Sequence, residues 1–304
     1  MPVDMGDRRK HLEFLRKTAK DAIWSGHYER ALTLYEDGLA LSRSWKDREL
    51  EDLFTCNRAT TLLEMDRQDF DLSRLKEIVL RNPSSYNGVL AAHTCAHAHE
   101  VRKEYGRALF YAKSALQKSR EQGFHELTAS SYNILGNLEL HESQFEAAQE
   151  NFQDALQHLE RRGETDSVLA AQYMDNLGYC HIALERIPVG MPLVKRSVEI
   201  FEEQGARQAL DYPSLDLCFA HLRTGELDAA ERWGFQALEL GNEFRREDVI
   251  KNSHYLLAEI AVETGREQEA DEHYEALANY YPNFPALKNY LHQISLVGMI
   301  NLRA

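Results

Sequence analysis

Nothing in the sequence is long and apolar enough to span a membrane, a task needing ~18 successive apolar residues. The start, MPVDMGDRRKHLEF, lacks the apolar run of a secretory signal. The four cysteines, Cys56, Cys95, Cys180 and Cys218, form no CxxC pair, so no disulfide framework is expected and a reducing cytoplasm is the expected compartment. HExxH, the phosphate-binding P-loop and GxSxG are all missing, so neither catalysis nor a cofactor is expected. Basic residues are outnumbered, 35 against 49 acidic, and the net charge of −14 repels a phosphate backbone; nucleic acid is not an expected partner. Only 7 prolines and 16 glycines interrupt 304 residues, and no segment alternates β-branched and polar positions as a strand would. What remains is an all-α chain rich in Ala, Leu, Glu, Gln and Arg.

That chain repeats itself. GHYERALTLYEDGL (26–39), KEYGRALFYAKSAL (103–116), SQFEAAQENFQDAL (143–156), GELDAAERWGFQAL (225–238) and GREQEADEHYEALA (265–278) share a turn, an aromatic or long residue, and an alanine three residues on. RQDFDLSRLKEIVL (67–80) and ERIPVGMPLVKRSV (185–198) are weaker copies. The anchors Tyr28, Phe70, Tyr105, Phe145, Ile187, Leu227 and Glu267 recur at intervals of 42, 35, 40, 42, 40 and 40. A second helical stretch precedes each turn, as in SSYNILGNLELH (130–141) and QYMDNLGYCHIAL (172–184), where Gly136 and Gly178 permit close approach of the partner helix. Seven helix hairpins follow, over about 8–45, 47–82, 86–121, 126–162, 166–204, 207–243 and 247–282.

Leu-Gly in the first helix, then turn, aromatic, Ala, Phe/Tyr and Ala in the second, resembles the tetratricopeptide repeat over residues 8–282. The period near 40 is similar to the long repeats of kinesin light chains and bacterial transcription regulators. The resemblance implies a right-handed superhelical solenoid with a concave, ligand-binding groove. Pro188 suits the opening turn of its helix, whereas Pro192 is expected to kink it and bend the stack. After Pro282, residues 285–304 are expected to form one further helix that caps the seventh hairpin or docks elsewhere. Its apolar stripe, especially Met299, Ile300 and Leu302, suggests self-association through this helix.

HTCAHAHE (93–100) concentrates zinc-ligand types, but at ~100° per residue His93 and His97 lie on one side of the Ala96 seam and Cys95 and His99 on the other. Cys95 and His99 read as core residues. The resemblance puts His93 and His97 on the concave face, as partner contacts, solvated groove residues or, in a third alternative, ligands of a metal-dependent enzyme. Equivalent offsets give Arg16 and Lys20, Arg58 and Leu62, Asn133 and Asn137, Asp175 and Tyr179, Leu215 and Phe219, and Tyr255 and Glu259. The second pair is open to a two-residue shift, to Cys56 and Thr60. The series runs from cationic through polar to aromatic, so the ligand is expected to be acidic at the end meeting the first repeats. Asparagine amides both donate and accept, which suits an extended backbone. Leu90 and Thr94 stand where chaperone-binding members carry clamp cations, so that activity is not implied. The expected function is a scaffold or adaptor that binds a protein or peptide segment. A peptide-sensing receptor that changes superhelical pitch is the alternative, although the bacterial regulators usually carry an effector segment and seven residues precede the first helix.

Overall fold

The structure, a computed structural model, describes residues 5–65, 67–281, 283–291 and 293–303. Residues 1–4 of the leader stretch, and Pro282 and Ala304, which bound the expected solenoid and terminal helix, lie outside the described residues. Among the described residues there is no strand, and no helix is long and apolar enough to cross a membrane. By internal packing the chain divides into two units: unit 1 runs to Glu139 and includes Glu150–Thr165, and unit 2 comprises Leu140–Gln149 and the residues from Asp166 onward.

The helices follow one another in pairs. They are α1 (Met5–Trp24) and α2 (Tyr28–Ser44), α3 (Arg48–Glu64) and α4 (Leu72–Arg81), α5 (Tyr86–Val101) and α6 (Tyr105–Gln122), and α7 (His125–His141) and α8 (Phe145–Glu160). Then come α9 (Val168–Ala183) and α10 (Ile187–Glu203), α11 (Asp211–Arg223) and α12 (Leu227–Phe244), α13 (Glu247–Glu263) and α14 (Glu267–Ala276), and a short α15 (Phe284–Leu291).

The sequence period has a local cause at the hairpin turns. Two residues before the second helix of six pairs, the backbone enters the left-handed region at Gly26, Lys103, Ser143, Glu185, Gly225 and Gly265. Glycine adopts this conformation freely, whereas Lys103, Ser143 and Glu185 adopt it at a cost of ~1 kcal/mol each. Several first helices start on a short polar side chain that accepts from the first turn, as when Asp47 accepts from Leu50 N (3.1 Å) and Ser167 from Ala170 N (3.1 Å).

Several second helices turn inward a stripe that includes small residues at i, i+4, i+7, whereas α4 buries Leu75 and Ile78. Buried examples are Ala108, Ala112 and Ala115 on α6, Ala230, Gly234 and Ala237 on α12, and Ala31, Tyr35 and Gly38 on α2. Backbone meets backbone closely between α9 and α10, where Gly178 faces Gly190. A Cβ on Gly178 would stand 2.6 Å from Val194 Cγ2 and 2.9 Å from the Gly190 carbonyl oxygen. Pro188 occupies the opening turn of α10 as expected. Pro192 lies inside the helix, which nevertheless runs on to Glu203, at the cost of the hydrogen bond that the Pro188 carbonyl would otherwise accept.

The C-terminal expectation is corrected. The last α-helix ends at Leu291 rather than continuing to 302, and Lys288 ties it to α14 through Glu275 (2.6 Å) and Asp271 (3.1 Å). Beyond it the chain is a series of turns. Ile294, Ser295, Val297 and Gly298 are poor helix formers, and two backbone N–H groups of this stretch, those of Leu296 and Leu302, find partners outside it on side chains of unit 2. The expected apolar stripe is divided in consequence: Leu302 and Val297 are buried while Met299 is 73 % exposed, so Leu302 is not offered to a second copy.

The Gly178–Gly190 contact generates a prediction. Gly178→Ala forces backbone apart and should destabilise the protein by about 1–3 kcal/mol, whereas Gly106→Ala, where an added Cβ meets nothing, should not. Equal denaturation midpoints for the two variants would show that the α9–α10 approach does not limit stability.

Candidate functional site: the first-helix faces of the two units

In unit 1 the expected groove residues come from α1, α3, α5 and α7. Arg16, Arg58, His93, His97 and Asn137 are half-buried, Lys20 is exposed and Asn133 is nearly covered. Leu62, offered by the equivalent offset in the second pair, is fully buried, as is Cys56; of the shifted pair only Thr60 is half-buried, hydrogen-bonded to the hydroxyl of Thr94 at 3.2 Å. The α3–α4 turn is longer than the others, which upsets the register there.

Two of the three cations of this face already have acidic partners. Lys20 Nζ bonds Glu126 at 3.1 Å, linking α1 to α7, and Arg58 Nε donates to Glu36 at 3.0 Å. Burial pushes the Glu126 carboxyl up, but Lys20, then Arg16 and Arg162, bring it below the usual range. The cationic stretch expected for an acidic ligand is therefore substantially neutralised within unit 1.

HTCAHAHE splits among separate surroundings. Cys95 packs in a core cluster with Cys56, Ala59, Leu75, Ile78 and Ala91. His99 is buried, stacks on Tyr111 with ring centroids 5.5 Å apart, and pairs through Nδ1 with Glu104 at 2.7 Å. Its role is structural and recurs: His221 pairs with Glu226 at 2.8 Å, each glutamate standing at the start of the next helix. His93 bonds the Ser130 backbone, and burial, reinforced by His97, lowers its pKa to about 4 against the opposing pull of Glu126.

Unit 2 is different. Asp175, Tyr179, Leu215, Phe219, Tyr255 and Glu259, expected to line an open groove, are all buried. Glu259 accepts from Tyr274 Oη at 2.8 Å. Several of the others are covered by the chain's own C-terminal segment. Leu296 N donates to Tyr255 Oη (2.9 Å) and Leu302 N to Tyr179 Oη (2.7 Å), and Tyr179 in turn donates to Asn301 Oδ1 (2.9 Å). Asn252 Nδ2 donates to the Leu302 carbonyl (2.9 Å), and Asn301 Nδ2 to the Leu140 carbonyl (2.6 Å). A non-helical stretch of turns is thus held through its backbone by hydroxyl and amide side chains from α9 and α13 and by the end of α7.

Arg303 anchors it. Its guanidinium lies between the rings of Tyr179 and Tyr212, 4.4 and 4.5 Å from their centroids, and bonds Asp216 at 2.7 Å with Asp175 at 3.6 Å. Burial works against its charge, but Asp216 and Asp175 outweigh that and keep it ionised. Burial raises Asp216 to about 6 even with Arg303 beside it, and raises Asp175 well above the usual range, with Asp216 adding to the effect. Asp211, also buried, is raised to about 6 despite Arg246 at 3.6 Å. One oxygen each of Asp175 and Asp216 has no hydrogen-bond partner in the protein.

The sequence reading missed Tyr212, Asp216, Asn252, Asn301 and Arg303. Tyr212 and Asn252 stand three residues before Leu215 and Tyr255, so the gripping stripe is one helical turn longer than the two positions taken from each helix. Asp216, a carboxylate in an otherwise apolar stretch, was the available signal.

The fold is that of an all-α helical-repeat protein. Residues 127–203 match the tetratricopeptide repeat family, and no curated protein matches the sequence. Similar solved structures include a Rap protein complexed with competence and sporulation factor, at 15 % identity and a TM-score of 0.66, covering 91 % of this chain and 76 % of that one. Aspartyl phosphate phosphatase F from Bacillus subtilis is similar at 15 % identity and a TM-score of 0.55, covering 100 % and 97 %. BtubC (BKLC) from P. vanneervenii follows at 16 % and 0.53, covering 72 % and 88 %. At these identities the likeness is one of fold. Residues 127–203 thus carry tetratricopeptide repeats, and the rest of the chain shares the helical-repeat fold.

The lowered pKa of His93 generates a prediction. The unfolded chain takes up this proton near pH 6.5 and the folded chain near 4, so His93 contributes stability above 6.5 that is lost progressively as pH falls toward 4. His93→Gln should therefore lose less stability than the parent between pH 7 and 5, measured by denaturant unfolding. Parallel losses would show that His93 is not held neutral.

Proposed function

We propose that the protein is a non-catalytic scaffold or adaptor of the cytoplasm that takes an extended protein or peptide segment on the first-helix face of unit 1. The observation that carries this reading is the equivalent face of unit 2, whose side chains already hold a non-helical segment through its backbone groups. Unit 1 offers side chains at the same offsets: His93, His97, Asn133 and Asn137 at the centre, with Arg16, Lys20 and Arg58 toward the first hairpin. An incoming carboxylate would replace Glu36 at Arg58 or Glu126 at Lys20, exchanging one ion pair for another, so it sets register and association rate more than affinity. Unit 2 residues Asp175, Tyr179, Leu215, Phe219 and Tyr255 are not part of this open surface.

A regulatory reading, that the ligand is a short free peptide acting as a signal, draws support from the similar Rap protein, which was solved with competence and sporulation factor. The likeness to a protein named as a phosphatase is one of fold and supports no catalytic role here.

Binding of an array of extended peptides, acidic at one end, to the full chain tests the proposal. His97→Ala with Asn137→Ala should weaken the peptides that bind by roughly tenfold, about two hydrogen bonds' worth. Arg16→Ala with Arg58→Ala should mainly flatten the salt dependence of association. Peptides that bind both double variants as they bind the parent would place the ligand elsewhere.

A further inference from the structure

The cage around Arg303 is more elaborate than a terminal cap requires. Phe284, Leu291 and Val297 already cover apolar surface in this part of the chain, and covering the seventh hairpin needs no charge. Instead unit 2 buries Asp175, Asp211 and Asp216 together, flanks two of them with the rings of Tyr179 and Tyr212, and admits one guanidinium between the rings. Arg246, at the start of α13, faces Asp211, and Asp248 accepts from Tyr212. Asp175 and Asp216 are left to Arg303.

We infer that the first-helix face of unit 2 is a receptor site for an arginine-bearing, non-helical segment, and that residues 296–303 occupy it as an internal ligand which a partner segment of the same chemistry displaces. This rests on the proposed function in placing ligands on first-helix faces, and it specifies the partner of the second face. Two observations indicate what an occupant must bring. Buried carboxylates without a counter-charge are disfavoured, so whatever replaces the tail must supply a cation that fits flat between two rings, which a guanidinium does and an ammonium does not. The remaining contacts run from the hydroxyls of Tyr179 and Tyr255 and the Asn252 amide to backbone groups, apart from the Asn301 side chain, so they tolerate other sequences. Being part of the same chain, the tail competes at an effective concentration of order millimolar, so a free segment enters appreciably only when abundant, tighter-binding or itself tethered nearby.

The test uses the full chain and an octapeptide reproducing residues 296–303, Leu-Val-Gly-Met-Ile-Asn-Leu-Arg, with a second peptide in which the arginine is alanine. By fluorescence anisotropy the arginine peptide should bind the triple variant Asn301→Ala, Leu302→Ser, Arg303→Ala at least tenfold more tightly than it binds the parent, and the alanine peptide should bind neither. Amide hydrogen exchange on the parent gives a reading independent of how well that variant folds. Excess arginine peptide should accelerate exchange at the Leu296 and Leu302 amides, and the alanine peptide should not. Exchange unaffected by the arginine peptide, or affected equally by both, overturns the inference. If that happens while His97→Ala with Asn137→Ala still weakens array peptides, the proposed function stands and this inference alone fails; loss of the array effect with the exchange effect intact means the reverse.

Discussion

A guanidinium buried between two tyrosine rings and two carboxylates organises unit 2. Taking such a charge out of water costs several kcal/mol, which only close, well-aligned counter-charges offset. Asp216 and Asp175 supply them, and the rings of Tyr179 and Tyr212 present their faces to the cation. Placing Arg303 there brings Leu302 and Asn301 against α9 and α13, where the Leu302 N–H and carbonyl are bonded by side chains of those helices and not by a helix of their own. The burial of Asp175, Tyr179 and Tyr255, positions that would otherwise read as groove, is bound up with the same segment.

The scaffold makes this economical. Six of the pairs put the first helix in the same register relative to a left-handed turn residue, so positions ten and six residues before that turn fall on one face in each of those hairpins. Small residues on the second helices set how closely each pair closes. In unit 1 that face carries half-buried imidazole and amide groups with locally paired cations; in unit 2 it carries hydroxyls, carboxylates and a resident segment. One fold thus presents two chemistries through substitution at equivalent positions.

Much of the helical framework was legible because its determinants are local and repeat. Turn glycines, alanine stripes and hydrophobic periodicity all lie within a single hairpin. The splitting of HTCAHAHE was also legible, because helical geometry alone separates Cys95 and His99 from His93 and His97. What was not legible depends on residues far apart in the chain. Nothing near Arg303 indicates that Asp175 and Asp216, some ninety residues or more earlier, await a cation, and by local periodicity 285–302 reads as an amphipathic helix. The pairing of Lys20 with Glu126 across 106 residues is a second instance. Register at α3 failed for a local reason, the long α3–α4 turn. The missed gripping residues Tyr212 and Asn252 required only that the stripe be followed one turn further.

The most direct measurement is a double-mutant cycle on the full chain, pairing Arg303→Ala with Asp216→Asn and reading stability by denaturant unfolding at pH 7.5. If the buried guanidinium holds the segment on unit 2, the two substitutions should be coupled by more than about 1 kcal/mol, because either one alone leaves the other group buried without its partner. Additivity within about 0.3–0.5 kcal/mol would mean that the two groups do not interact in the folded protein, and would contradict the account.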